Sequence, residues 1–172
     1  MKGTMRQNVQ VLPIRERLLG DALVSLADRL GNRTVNSAGL AIKAGGSAIV
    51  KAGSAFHALM SDGKVGRLVA KAANTDMAAL SGTVVNATHN VFAFFIDNAG
   101  NLTTAMGVAG ASLAAVTFPP VPVGKACLGY VHINPTGTGD FVGGTTVLDD
   151  VTVVPNAAYV NIIGPFDPTL IP

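Results

Sequence analysis

The chain has 172 residues, of which 49% are hydrophobic and 13% charged, with a formal net charge of +2 and a single cysteine. That length suits one domain whose core can stand without staples. One cysteine excludes an intramolecular disulfide, and no uninterrupted apolar run reaches the roughly 18 residues of a membrane-crossing helix.

The charged share is about half that of an ordinary soluble domain, so an oligomer interface or a larger assembly is expected to cover apolar surface. Charge is also unevenly placed. Residues 1–72 hold eleven of the twelve Lys and Arg against four acids, a balance of +7, while residues 73–172 hold Lys125 against six acids, a balance of −5. Such a split suits a basic end docking on an acidic surface or meeting another subunit. The basic residues are scattered and not interleaved with aromatics, which argues against a nucleic-acid partner.

Taken in order, residues 1–12 are polar without a period and read as an arm, with no apolar stretch of the kind a signal peptide needs, so synthesis in a cytoplasm is expected. Pro13 suits the first turn of a helix. From Ile14 to Leu30 the apolar positions Ile14, Leu18, Leu19, Ala22, Leu26 and Leu30 recur at helical spacing, predicting an amphipathic helix closed by a left-handed stop at Gly31 and Asn32. Its polar side carries mixed charge, favouring docking or oligomerisation over a membrane surface.

After Arg33 the composition turns to Gly, Ala, Val, Thr and Asn, with short apolar runs separated by turns at intervals of about 8 to 12 residues, the pattern of an all-β sandwich or barrel. Ile42-Lys43-Ala44-Gly45 is echoed by Val50-Lys51-Ala52-Gly53, read as neighbouring strands that each turn a lysine to solvent or a subunit boundary. Ala55 to Met60 and Val65 to Ala70 flank Asp62-Gly63, a hairpin signal. Residues 72–82 read as a connection and Thr83 to Asn86 as a strand. Val91 to Val108 holds Phe92, Phe94 and Phe95 before a turn cluster at Asp97 to Asn101, predicting a hairpin whose first strand lies in the core. Phe118 to Pro122 should run extended along an edge or between sheets. Ala126 to Ile133 is a strand, Asn134 to Asp140 a loop, Val151 to Val154 a last short strand, and Tyr159 to Ile163 a segment able to pair or pack. The expected fold is mainly β, an antiparallel sandwich or barrel-like domain over residues 34–165, preceded by an arm and amphipathic helix over 1–33 and followed by an extended Pro-rich tail over 166–172.

Chemistry-bearing groups are sparse. His57, His89 and His132 are far apart in sequence and none has metal-ligand spacing; His57 and His132 fall in strands, where a hydrogen-bonded structural role is expected. Ser54 with His57 resembles a nucleophile with a base, but no convergent polar pocket accompanies it. Asp149 and Asp150 would point to opposite faces if extended. Gly45-Gly46 and Gly143-Gly144 lack phosphate-loop context. The sequons at Asn32, Asn86 and Asn101 carry weight only with a secretory signal. Cys127, in an apolar string, reads as a buried small hydrophobe. No catalytic residue, cofactor or metal site is expected. The interface candidates are Ile14, Leu18, Ala22, Leu26 and Leu30 on the helix, with Lys43 and Lys51.

The order of a short amphipathic helix, Gly/Ala/Lys strands, Asn90 to Asp97, Gly124-Lys125-Ala126-Cys127-Leu128-Gly129-Tyr130-Val131 and Asp140-Phe141-Val142-Gly143-Gly144-Thr145-Thr146-Val147-Leu148-Asp149 resembles a group of tailed-bacteriophage virion structural proteins over about residues 34–165. Within that group, size, low charge and sparse chemistry are similar to capsid decoration or cement proteins. The resemblance implies a non-enzymatic protein on the capsid surface, made in the host cytoplasm, that binds the major capsid protein and itself, as a trimer, with no nucleic-acid or membrane partner. A head or tail fibre or receptor-binding module is the alternative that the helix would also suit.

Overall fold

The stretch Asn90–Asp97 has no alternation of apolar and polar residues, which is how a strand reads when both of its faces are covered. In the computed structural model, which describes residues 14–61 and 66–166 with side chains from Arg17 onward, every residue from Asn90 to Ile96 is buried. Phe92, Phe94 and Ile96 enter the main core, whereas Ala93 and Phe95 join Cys127 in a smaller cluster on the opposite face.

The described residues begin with helix α1 (Ile14–Gly31), followed by strands β1 (Arg33–Thr34), β2 (Leu40–Ile42), β3 (Val50–Ala52), β4 (Phe56–Ser61), β5 (Gly66–Lys71) and β6 (Thr83–Val84). The second half contributes β7 (Asn90–Asp97), β8 (Leu102–Met106), β9 (Lys125–Ile133), β10 (Phe141–Val142) and β11 (Ala158–Asn161). The central sheet has the order β11-β9-β7-β8, with β1-β4-β5, β2-β3 and β6-β10 as smaller sheets, and all named pairs are antiparallel. Phe56, Met60, Leu40, Val50, Val84 and Phe141 from the smaller sheets meet β7 and β9 in the main core. The architecture is mainly β and sandwich-like, with one N-terminal helix; the sheets do not close, which decides against a barrel.

One glycine sets the phase of the central sheet. Phe94 pairs with Gly129 but Phe95 pairs with Cys127, so Leu128 is an extra residue on β9, a bulge. Ala126 and Leu128 face the main core before it, and Val131 and Ile133 after it. Gly129 adopts φ +147°, and a Cβ there would lie 2.2 Å from the Val160 carbonyl oxygen.

The predicted hairpins form as β4–β5 and β7–β8, and the lysine echo is the β2–β3 pair. The Asp62-Gly63 turn, Pro13 and the tail beyond Phe166 lie outside the described residues. Two local expectations are corrected. Val151 to Val154 is not a strand: the Val153 and Val154 N–H groups both donate to the Asp150 carbonyl (3.1 and 2.7 Å), coiling the segment into turns. The helix stop is not left-handed, since neither Gly31 nor Asn32 has positive φ. Gly31 is required because a Cβ would lie 2.9 Å from Ser61 Cβ, and Asn32 closes the helix with its side chain.

Candidate functional site

Helix α1 is held to the body by its last turn. The buried Asn32 donates from Nδ2 to the Asp28 carbonyl (2.9 Å) and to Asp28 Oδ1 (2.8 Å), while its Oδ1 accepts from the Ser61 N–H at the end of β4 (2.8 Å). The Asp28 carboxylate also accepts from the Gly124 N–H, just ahead of β9 (3.2 and 3.3 Å). Arg33 donates to the Leu30 carbonyl. These contacts use the polar side of the helix.

Positions three, four and seven apart share one helix face. Asp21, Ser25 and Asp28 follow that spacing and, with Val24 and Arg29, line a groove of about 460 Å³ against Pro120, Val121 and Val123 of the same chain. The other face carries Leu18, Leu19, Ala22, Leu23, Leu26 and Leu30. Its five leucines keep 47–63% of their surface exposed, and Ala22 is exposed as well. The helix therefore stands off the body: a helix packed for its own domain would turn its apolar stripe inward, whereas here residues 17–27 are exposed all round, only Asp28, Arg29 and Gly31 are half-buried, and the leucines are left uncovered. Leu19, Leu23, Leu26 and Leu30 lie at steps of four, three and four, the spacing of a seam between helices.

Of the interface candidates, Leu18, Ala22, Leu26 and Leu30 lie on that outward face; Ile14 begins the helix, its side chain outside the described residues. Leu19 and Leu23 complete the face. The sequence already placed Leu19 in the helical period, whereas Leu23 was missed, although one turn beyond Leu19 is where the same face must continue. Lys43 and Lys51 form a separate group. Lys43 pairs with Asp76 (2.6 Å) and Lys51 Nζ donates to Asn74 Oδ1 (2.9 Å), so both reach the 72–77 connection. Both sites remain solvent-accessible.

The remaining chemistry-bearing residues separate, with one exception. The Asp149 carboxylate accepts from Gly46 N–H (3.1 Å) and Asp150 from Thr152 N–H and Oγ1 (2.9 and 2.6 Å), so the two acids serve different turns. The His57 N–H donates to Asn36 Oδ1 (2.8 Å), with ring Nδ1 3.3 Å from the same oxygen, a structural role on β4. Burial pushes the Cys127 thiol up to about 12. The exception is His89 and His132, 43 residues apart yet 3.0 Å from Nδ1 to Nε2. Asn90 pairs with Ile133 and Val91 with His132, so one step beyond the sheet His89 falls level with Asn134 and diagonal to His132 on one face. Asn134 Nδ2 lies 3.2 Å from His89 Nε2. Reading each histidine in its own segment missed this grouping, which depends on strand register.

Among the described residues no helix is long and apolar enough to cross a membrane, and no three His, Cys, Asp or Glu side chains gather as metal ligands. Compared with protein-family models, curated proteins and solved structures, the chain matches none.

Proposed function

We propose that this chain is a non-enzymatic structural subunit of a virion, a capsid decoration or cement protein that binds the outer shell and associates with copies of itself, as a trimer, through α1. One observation carries the assembly part: the leucine face of α1 is left uncovered by the rest of the described residues. Apolar surface of this kind marks an interaction site, and its leucine spacing suits another helix of the same kind. The shell as partner rests on the sequence resemblance and on the basic balance of residues 1–72.

The fibre or receptor-binding alternative would suit the same helix as a shaft base. A recognition tip of exposed aromatics finds little support, because all seven Phe and both Tyr are buried or half-buried.

The test has two parts. Leu18→Asp and Leu26→Asp are each expected to reduce the oligomer to a monomer by light scattering while far-UV circular dichroism still reports the β domain; unchanged assembly mass in both would remove α1 from the proposal. Quantitative mass spectrometry of purified particles then compares copy number with the major capsid protein. Comparable numbers support decoration, a few copies per particle point to a fibre or neck, and absence from particles refutes a virion role.

A further inference from the structure

The hydrogen-bonded imidazoles at the rim of the central sheet have a geometry that counts protons. The ring centres of His89 and His132 lie 5.2 Å apart with planes 13° from parallel, while the facing nitrogens are 3.0 Å apart. With so short a nitrogen contact, centres that distant require the rings to lie edge to edge and nearly in line. This is an N–H···N bond and not a face-to-face stack. A metal ion between the same two nitrogens would need both rings turned out of line.

We propose that His89, His132 and Asn134 form an acid-sensitive latch that holds one extra proton and opens when a second arrives. In the neutral pair Asn134 Nδ2–H donates to His89 Nε2, His89 Nδ1–H donates to His132 Nε2, and His132 keeps its proton on Nδ1. Asn134 Oδ1 is then buried without a partner. A first added proton settles on His89 Nε2, and the Asn134 amide turns over so that its oxygen accepts it. The imidazole–imidazole bond survives. A second proton has only His132 Nε2 to occupy, which sets N–H against N–H and cation against cation, and the bond breaks. Burial, and after it the neighbouring His89, hold the His132 imidazole below its usual range, in keeping with this order.

Other charges bear little on the pair. Residues 83–88, 98–124 and 126–139 contain no Asp, Glu, Lys or Arg. Asp97 and Lys125 sit at the far ends of β7 and β9, where they lie opposite each other in the strand register. On β9 the titratable neighbours are Tyr130 and Cys127; β11 sets Ala158 opposite His132 and carries Tyr159. Asp140, whose carboxylate accepts from Asn86 N–H (2.8 Å), closes the adjoining loop.

Three segments converge at the latch. His89 and Gly110 exchange backbone hydrogen bonds in both directions (2.8 and 3.0 Å), and Ala87 N–H donates to the Pro135 carbonyl (2.7 Å). Opening would loosen loops 85–89, 107–110 and 134–140 together and leave the core strands in place.

Imidazole nitrogen NMR on the full chain, from pH 8 down to 4.5, tests this, with backbone amide exchange followed in parallel. The expected result is two proton uptakes separated by more than about one pH unit, the mark of coupled sites, with faster exchange at Ala87, His89 and Gly110 only through the lower one. In His89→Gln the remaining His132 uptake is expected to move up towards 6.5. Two uptakes together near 6.5, or amide exchange at those positions that is indifferent to the lower step, would overturn the latch. The wild-type titration decides the matter even if the variant fails to fold.

Discussion

Two residues of β9, Gly129 and Cys127, carry different demands. Gly129 must lack a side chain, since its positive φ and its approach to Val160 leave no room for a Cβ. Gly129→Ala is expected to cost about 2 kcal/mol or more, from backbone strain alone on the order of 1–3 kcal/mol, measured by urea unfolding; a cost below the roughly 0.5 kcal/mol typical of neutral surface changes would contradict the bulge geometry. Two positions earlier, Cys127 is 3% exposed with its thiol raised to about 12 from 9.0. A thiol reagent at pH 8 should therefore modify it only as fast as the chain unfolds, since the thiolate is the reactive form. A stoichiometric reaction within the mixing time on folded protein would show that the site is open. Because the folded chain resists ionisation, Cys127 favours the native state below pH 9.0, and this contribution is lost as pH rises towards about 12.

At the scale of the element, α1 depends on a side-chain closure. Asn32→Ala removes two donated bonds and, from the Ser61 N–H, one accepted bond at a buried position, a loss expected to be about 1–3 kcal/mol in thermal or denaturant unfolding; helix content should fall with it. The helix itself was legible, because Leu18, Leu19, Ala22 and Leu26 follow steps of one, three and four, which a strand would split between its two faces and a helical turn gathers onto one side. Its facing was not. Periodicity says that a stripe exists and is silent on whether the body covers it, and here the helix reaches the body through Asp28 at Gly124 while the leucines stay exposed. β7 was legible for the opposite reason, an unbroken apolar run that only a strand covered on both faces can satisfy. Val151 to Val154 misled because β-branched residues favour strands, whereas the Asp150 side chain offers its own short-range bonds to Thr152 and wins locally. His89 with His132 could not be seen in the sequence, since their meeting depends on the register that sets Asn90 opposite Ile133 and Val91 opposite His132.

For the whole molecule, acid should act in two stages. His132 sits below the usual 6.5, so stability is full above about 6.5, declines as pH falls towards the folded value and then levels off. Hydrogen bonds from Asn101 to Asp97 and from Thr152 to Asp150 hold both carboxyls below 3.8; their contribution is present above 3.8 and is lost as pH drops through the folded values. Melting temperatures from pH 8 to 3 should thus show two declines, and a first decline reduced by His89→Gln, with the second kept, would assign them, since burial of His132 persists in the variant. The attachment of α1 carries a mechanical consequence. A pull on the helix enters the body through Asn32 to the end of β4 and through Asp28 to the threshold of β9, and β9 is bonded along its length to β7. Load is delivered to the most deeply embedded pair of strands, spread over many hydrogen bonds at once, so that tension applied to α1 would be borne by the interior of the domain and spare its loops.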